Sequence, residues 1–204
     1  TTAFIQSEGW HNLRNDVAGE IGFEFTVQSK AKTVTHLGLW DDHDRDRPVR
    51  PARAIPIEIQ RDQPSLPDPK GKRRGLKTAH TIRLVQLGTT PTEISRATLP
   101  EGTRAELDGA FRYVALPKPI ILQPGKRYAL LATTRTGDGD HFKSPDSFDG
   151  LSPLVHPEIE IIRGLLIRND DFNHPHPIPA FSDLSLDHSR YRLPVGPTLK
   201  FKKP

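Results

Sequence analysis

Two groups of closely spaced aspartates come nearest to the spacing of a metal site. Ca²⁺ is bound by several carboxylate oxygens that one flexible loop can supply. Asp138 and Asp140 stand in a glycine-flanked turn and are the first candidates for calcium or ligand contact. The alternative calcium set, which lacks the glycine and the later glutamate of an EF-hand loop, is Asp41, Asp42, Asp44 and Asp46. Aspartate and glycine also favour solvated turns for backbone reasons, so a turn without metal is the competing interpretation.

The two tryptophans, Trp10 and Trp40, are candidates for contact with a sugar. Sugar-binding surfaces use exposed aromatic rings that stack on the C–H faces of pyranose rings. Trp40 ends a strand-like segment and borders the first aspartate group, whereas Trp10 stands among polar residues. Packing in the core or at a sheet edge is the alternative for both. We add His141, which follows the glycine-flanked turn, to this set of candidate ligand contacts.

Basic residues are concentrated in one proline-rich segment. From Asp44 to Lys77 there are ten Arg or Lys and five Asp or Glu, a balance of +5, while the rest of the chain carries nineteen and twenty, a balance of −1. Lys72, Arg73 and Arg74 near its end could bind sulfate or carboxylate groups of an acidic polysaccharide. Aromatic residues that would stack on bases are missing from this stretch, which argues against recognition of single-stranded nucleic acid. The alternative is a solvated loop tip that aids solubility.

Other groupings point weakly to catalysis or zinc. His174 and His176 lack further ligands at a spacing that zinc would need. Glu158 and Glu160 could form a pair of glycosidase carboxylates, but their alternation with isoleucines also fits the solvent-exposed face of an edge strand. No nucleophile elbow, phosphate loop or zinc-protease motif occurs. We therefore expect no catalytic residue and no enzyme.

The surrounding pattern predicts strands that hold these loops in place. In the segment 21–27, Ile21, Phe23, Phe25 and Val27 alternate with Gly22, Glu24 and Thr26, the period of a strand with one buried face. Further strand-like segments recur at spacings of about eight to fifteen residues, with turn sequences such as Gln123-Pro124-Gly125-Lys126 between them.

This arrangement predicts an all-β, two-sheet antiparallel sandwich, jelly-roll-like, as a single domain over residues 1–204 with a long insertion at about 41–77. The residues predicted to help fill its interior are Ile21, Phe23, Phe25, Leu37, Leu84, Phe111, Tyr113, Leu130 and Phe201.

Composition sets outer limits on the type of protein. The 204 residues are 34% hydrophobic, which allows one substantial core. No run of eighteen apolar residues occurs, so we expect no membrane span. Cysteine is absent, which excludes disulfides and thiolate sites. The chain opens Thr1-Thr2-Ala3, and we expect an excised domain or a mature fragment of a larger protein.

Several fragments in order resemble a known family. They are residues 14–19, 22–27, 33–40, 80–85, 111–116, 122–128, 137–142 and 196–201. Their order and spacing resemble the DUF4082-like β-sandwiches, domains of unknown function appended to large secreted bacterial proteins that include carbohydrate-active enzymes. The resemblance implies a non-catalytic accessory module that binds carbohydrate. The insertion at 41–77 departs from the pattern, and nothing of the family carries over to it.

We therefore expect a secreted module that binds polysaccharide, with a preference for an acidic one given by the basic segment. We expect neither nucleic acid nor a membrane as a partner. The competing hypothesis is a structural or adhesive module that contacts other proteins and has no sugar site. A glycan-active enzyme is the third and least favoured.

Overall fold

The computed structural model of the chain describes residues 5–6, 13–14, 18–41, 75–108, 111–140, 142–143, 154–168 and 196–202. Every regular element in these ranges is a β-strand. The strands are β1 (Ile5–Gln6), β2 (Leu13–Arg14), β3 (Gly19–Val27), β4 (Lys32–Trp40), β5 (His80–Leu87), β6 (Thr92–Leu99), β7 (Glu106–Asp108), β8 (Phe111–Leu122), β9 (Arg127–Thr134), β10 (Phe142–Lys143), β11 (Leu154–Val155), β12 (Ile159–Arg168) and β13 (Pro197–Phe201). None of the described elements is a helix that could cross a membrane.

Two antiparallel sheets form the body of the domain. One has five strands in the order β12-β3-β9-β5-β6, and the other has four in the order β13-β4-β8-β7. Two short pairs, β1 with β11 and β2 with β10, accompany them. The chain passes from one sheet to the other between β3 and β4, β4 and β5, β6 and β7, β8 and β9, and β12 and β13. The all-β, two-sheet sandwich predicted from the sequence is confirmed.

The core lies between the facing sides of the sheets. The alternating residues Phe23, Phe25 and Val27 of β3 are fully buried, as are Leu37 of β4 and Leu130 of β9. All nine residues predicted to fill the interior are buried, seven of them between the sheets, whereas Phe111 and Tyr113 lie on the outer face of the four-stranded sheet.

Bulges interrupt the alternation at three places. In β12 the pairing with β3 shifts between Ile161 and Arg163, so Ile162 is the extra residue and Arg163 turns to the outer face of the sheet. In β6 the shift against β5 makes Ile94 the extra residue. In β4, Thr35 is the extra residue against β13, whereas against β8 it stands opposite the four residues 116–119. Residues on the same face of a regular strand are two positions apart, but across each bulge they are three positions apart.

The two ends of the sandwich differ in the length of their connections. The turn end carries the short turns 28–31, 88–91 and 123–126, and Gly125 N–H donates to the Val27 carbonyl there, 3.1 Å away. The loop end carries Trp40–Asp41, 75–80, 100–105, 134–140 and the start of β8. The chain leaves the described ranges at the loop end after Asp41 and after Arg168, and it returns there at Gly75 and Gly196.

Candidate functional site

The predicted site residues that the structure describes gather at the loop end. Trp40 and Asp41 close β4, and Asp138 and Asp140 lie in the loop after β9. The predicted residues that lie outside the described ranges are Trp10, Asp42, Asp44, Asp46, Lys72, Arg73, Arg74, His141, His174 and His176. The basic segment joins the fold at this same end, because the described ranges stop at Asp41 and resume at Gly75.

Asp41 is part of a buried ion pair. Its Oδ2 accepts a hydrogen bond from Nε of Arg112, and both side chains are almost fully buried. The same guanidinium donates through Nη1 to the carbonyls of Ala105 at 2.9 Å and Thr103 at 3.3 Å. Asp41 and Arg112 therefore fix the exit of β4 to the loop that precedes β7.

Asp140 ties the loop after β9 to the segment before β5. Its two carboxylate oxygens accept from the backbone N–H of Lys77 at 2.8 and 2.9 Å and from the N–H of Thr78 at 2.9 Å. Oδ2 also lies 2.9 Å from Nε2 of His80. The carboxylate of Asp138 accepts from the N–H of Arg135 and of Asp140, which closes the turn in which Gly137 and Gly139 adopt positive φ.

The hydrogen bonds of His80 define its charge. Nδ1 lies 2.8 Å from the carbonyl of Thr133, which can only accept, so Nδ1 carries a proton. The ionised carboxylate of Asp140 can also only accept a hydrogen bond. Nε2 of His80 can therefore donate to Asp140 only when both ring nitrogens carry a proton and the ring is positively charged. Burial opposes the charge, but the hydrogen bonds to Asp140 and Thr133 outweigh it, so the pKa of His80 is raised. Burial likewise opposes ionisation of Asp140, yet the bonds from His80, Lys77 and Thr78 lower its pKa.

N–H donors surround the Asp140 carboxylate in this structure. In the described part of the chain, no group of three or more His, Cys, Asp or Glu could hold a metal ion. The calcium assignment for Asp138 and Asp140 stays a prediction, as does the alternative set at Asp41.

Trp40 borders an aromatic cluster on the outer face of the four-stranded sheet. In the register of the sheet, Trp40 pairs with Phe111 and Gly38 pairs with Tyr113, so these residues share a face opposite to that of Leu37. The Tyr113 ring lies on Gly38, where an added Cβ would come 2.5 Å from Cδ1 of the ring. Trp40 is 5% exposed and belongs to the buried apolar cluster, which fits the packing alternative for this residue.

The ammonium group of Lys200 lies over the Tyr113 ring. Its Nζ lies 4.1 Å from the ring centroid, 2.8 Å from Oδ2 of Asp108 and 3.2 Å from Oε1 of Glu106. The lysine is buried, whereas the side chains of Glu106 and Asp108 are 64% and 55% exposed. The outer face of this sheet therefore presents two carboxylates to solvent above an ammonium group and an aromatic ring.

Sequence reasoning missed Arg112, His80 and Lys200. Arg112 and Lys200 stand in strand segments where alternation predicts a face and gives no partner. The partner of Arg112 is 71 positions away and that of His80 is 60 positions away. The sequence did contain one signal: His80 and Arg112 stand at the starts of two otherwise apolar strands, and a charged group in such a place needs a partner.

The paired glutamates proposed from the sequence have separate surroundings. Glu158 lies in the turn before β12 and forms an ion pair with Lys32 of β4. The hydrogen bond from Lys32 is the main cause that lowers the pKa of Glu158. Glu160 lies on β12 and is exposed.

No family model, no curated protein and no solved structure matches this chain.

Proposed function

We propose that this domain is a non-catalytic accessory module of a secreted protein and that its loop end binds glycan, with a preference for acidic polysaccharide. The observation that carries the proposal is the convergence of connections at the loop end. Both long segments outside the described ranges, including the basic one, join the sandwich there. Binding residues are found disproportionately on loops that a rigid scaffold holds in place.

Buried polar contacts hold in place the two chain positions at which the basic segment leaves and rejoins the sandwich. The pair of Asp41 with Arg112 holds the chain where the basic segment begins. Where that segment returns, the N–H groups of Lys77 and Thr78 are held by Asp140, and Leu76 and Gly102 form an isolated β-bridge. A base held on both sides lowers the conformational entropy that a ligand-binding loop loses on binding.

The charge distribution supports an acidic ligand. The segment from Asp44 to Lys77 carries +5, whereas the rest of the chain carries −1. Such a patch raises the local concentration of a polyanion and acts mainly on the association rate, with a strong dependence on salt. Arginine also offers a planar fork for the paired oxygens of sulfate or carboxylate groups.

The test compares retention on a sulfated polysaccharide column for two triple variants of equal charge change. Lys72→Ala/Arg73→Ala/Arg74→Ala should elute at lower salt than the unmodified chain. For nucleic-acid polyanions the salt slope changes by roughly 0.7–0.9 for each contact, and we expect a similar effect of each contact here. Both variants should keep their stability, because exposed charges contribute little to it.

The control variant is Lys30→Ala/Lys118→Ala/Lys126→Ala, which removes three exposed lysines at or near the turn end. It should elute close to the unmodified chain. If both variants lose retention equally, net charge alone explains binding and the loop end has no special role. A chain that retains no glycan of any class, with or without calcium, would favour the structural or adhesive module.

A further inference from the structure

The outer face of the five-stranded sheet holds a buried carboxylate between two arginines. Glu24 stands on β3, which has β12 on one side and β9 on the other. Arg163 of β12 pairs directly with Glu24 in the register of the sheet. Arg127 of β9 pairs with Thr26, the next residue of β3 on this face. Oε1 of Glu24 accepts a hydrogen bond from Nε of Arg127, and Oε2 accepts one from Nε of Arg163 at 2.7 Å. One carboxylate therefore holds two guanidinium groups close together.

Both arginines bond to Glu24 through Nε alone, which leaves most of their N–H donors unused. Among the described residues, neither Arg127 nor Arg163 makes a hydrogen bond through Nη1 or Nη2. The two side chains are 56% and 32% exposed, so these donors are open to solvent. A guanidinium presents its donors as a rigid, planar fork. Each arginine therefore keeps a fork that an acceptor from outside can occupy.

Two other arginines on the same face use their forks within the fold. Arg83 donates through both Nε and Nη2 to Glu20. Arg96 does the same to Glu93, with both distances at 2.9 Å. Each of these arginines has a carboxylate of its own, whereas the two at Glu24 share one, a balance of +1. The surplus charge and the open donors belong to the same pair of groups, so an anion is the partner that fits them.

We propose that Arg127 and Arg163 form an arginine clamp for the sulfate or carboxylate groups of an acidic polysaccharide. Both anions offer paired oxygens that a guanidinium binds through two N–H groups. The buried Glu24 positions both arginines before the ligand arrives, which limits the conformational entropy lost on binding. The clamp deepens the proposed function and rests on it. Arg127 directly follows the turn 123–126, so the clamp is a second contact, and a polysaccharide must run along the sheet to reach the basic segment as well.

Glu160 is a carboxylate on this face that opposes an anionic ligand. It is exposed and pairs with Thr26, so it stands next to the clamp. Within the described part of the chain it forms no ion pair with Arg127 or Arg163, which both turn to Glu24 instead. Glu160→Gln removes this repulsion and leaves the clamp and Glu24 in place, so it should strengthen binding.

The test replaces each fork and keeps its charge. Arg127→Lys and Arg163→Lys retain a cation that can donate to Glu24, but they lose the planar fork. The affinity of each full-chain variant is measured for a sulfated polysaccharide and for a polyuronate at about 0.1 M NaCl, where the Debye length is about 10 Å. Each variant should bind roughly three- to tenfold more weakly, the loss expected for one hydrogen bond. A loss on one polymer alone also supports the clamp and identifies the anion that it prefers.

Arg96→Lys is the matched control. Its side chain is 51% exposed and lies on the same face, but its fork is occupied by Glu93. It should bind like the unmodified chain, and so should the triple lysine control described above, which leaves both forks of the clamp intact. Melting temperatures show whether the clamp variants still fold. If they do not, Glu160→Gln decides: it should bind roughly two- to fivefold more tightly, whereas Glu106→Gln on the other sheet should not.

The inference is overturned if both clamp variants bind both polymers like the unmodified chain, or if Arg96→Lys loses as much affinity as they do. Either result leaves the proposed function standing, provided that the triple alanine variant of the basic segment still loses retention. A chain that binds neither polymer but retains a neutral glycan overturns the clamp and the acidic preference. A chain that retains no glycan of any class overturns the clamp and the proposed function together.

Discussion

Arg112 and Asp41 meet inside the sandwich although 71 positions separate them in the chain. Glu24, fully buried, is likewise held by Arg127 and Arg163 on the outer face of the five-stranded sheet. A buried ion pair adds little net stability over an apolar pair of similar volume, but removing one member leaves an uncompensated charge. The stability of the domain therefore depends on both members of each pair.

Arg112→Met should destabilise the domain by about 3–5 kcal/mol, because it removes the buried cation that pairs with Asp41 and donates to two backbone carbonyls. The double variant Asp41→Leu/Arg112→Met should lose less than the single one. Urea denaturation measures both. Arg104→Ala, which breaks the exposed pair with Glu101, is the control and should stay within about 0.5 kcal/mol of the unmodified chain. Equal losses for Arg112→Met and Arg104→Ala would contradict the role of burial.

The His80–Asp140 pair predicts a pH dependence of stability at this end. The pKa of His80 is raised from 6.5, so its contribution is complete below pH 6.5 and is lost as pH rises through the raised value. The pKa of Asp140 is lowered from 3.8, so its contribution is present above 3.8 and is lost as pH falls through the lowered value. The pair therefore stabilises the fold most between about pH 3.8 and 6.5.

His80→Gln should consequently cost about 1.5–3 kcal/mol at pH 5.5, the usual size of a hydrogen bond to a charged group. As pH rises through the raised pKa of His80, the same variant should cost less, since the histidine then loses its second proton. Urea denaturation at pH 5.5 and at a series of higher pH values measures the difference. His36→Gln is the control, because the ring of His36 bonds to the hydroxyl of Thr35. A loss that does not change with pH would show that His80 contributes by packing alone.

At the scale of elements, the centre of β3 depends on a residue without a side chain. A Cβ at Gly22 would lie 1.8 Å from the backbone oxygen of Leu130 in the neighbouring β9. Gly22→Ala should therefore force the strands apart and destabilise the domain by about 1–3 kcal/mol or more. Gly88→Ala, at a turn where the nearest atom lies 4.0 Å away, should have little effect. Thermal denaturation of the two variants compares them, and equal melting temperatures would contradict the close approach seen here.

At the scale of the whole molecule, alternation in sequence was enough to predict the fold class and the buried residues. Phe23 and Phe25 repeat every second residue, and that period is sufficient to assign a face. The bulges at Ile94 and Ile162 break the period, so the position of Arg163 beside Glu24 could not be predicted from it. The order of the strands in the sheets brings together residues that are far apart in the sequence. That order cannot be derived from the spacing of neighbouring residues.

The same limit applies to the candidate site. The turn at Asp138 and Asp140 was recognisable from its glycines, but the donors that meet Asp140 come from about 60 positions away. For Trp40 the sequence left stacking and packing both open, and only the fold shows its burial. Which side chains meet in a sandwich depends on where the chain crosses from one sheet to the other. A single sequence does not specify those crossings.

The interrupted edge strands also bear on how the domain behaves among copies of itself. Ile162 forms a bulge in β12, Ile94 forms one in β6, and β13 begins at Pro197. On the remaining edge, β7 is three residues long, and the uncovered part of β8 contains Pro117 and Pro119. Bulges and prolines at an edge block the addition of a foreign strand. The described edges of the sandwich therefore disfavour the edge-to-edge pairing that starts aggregation.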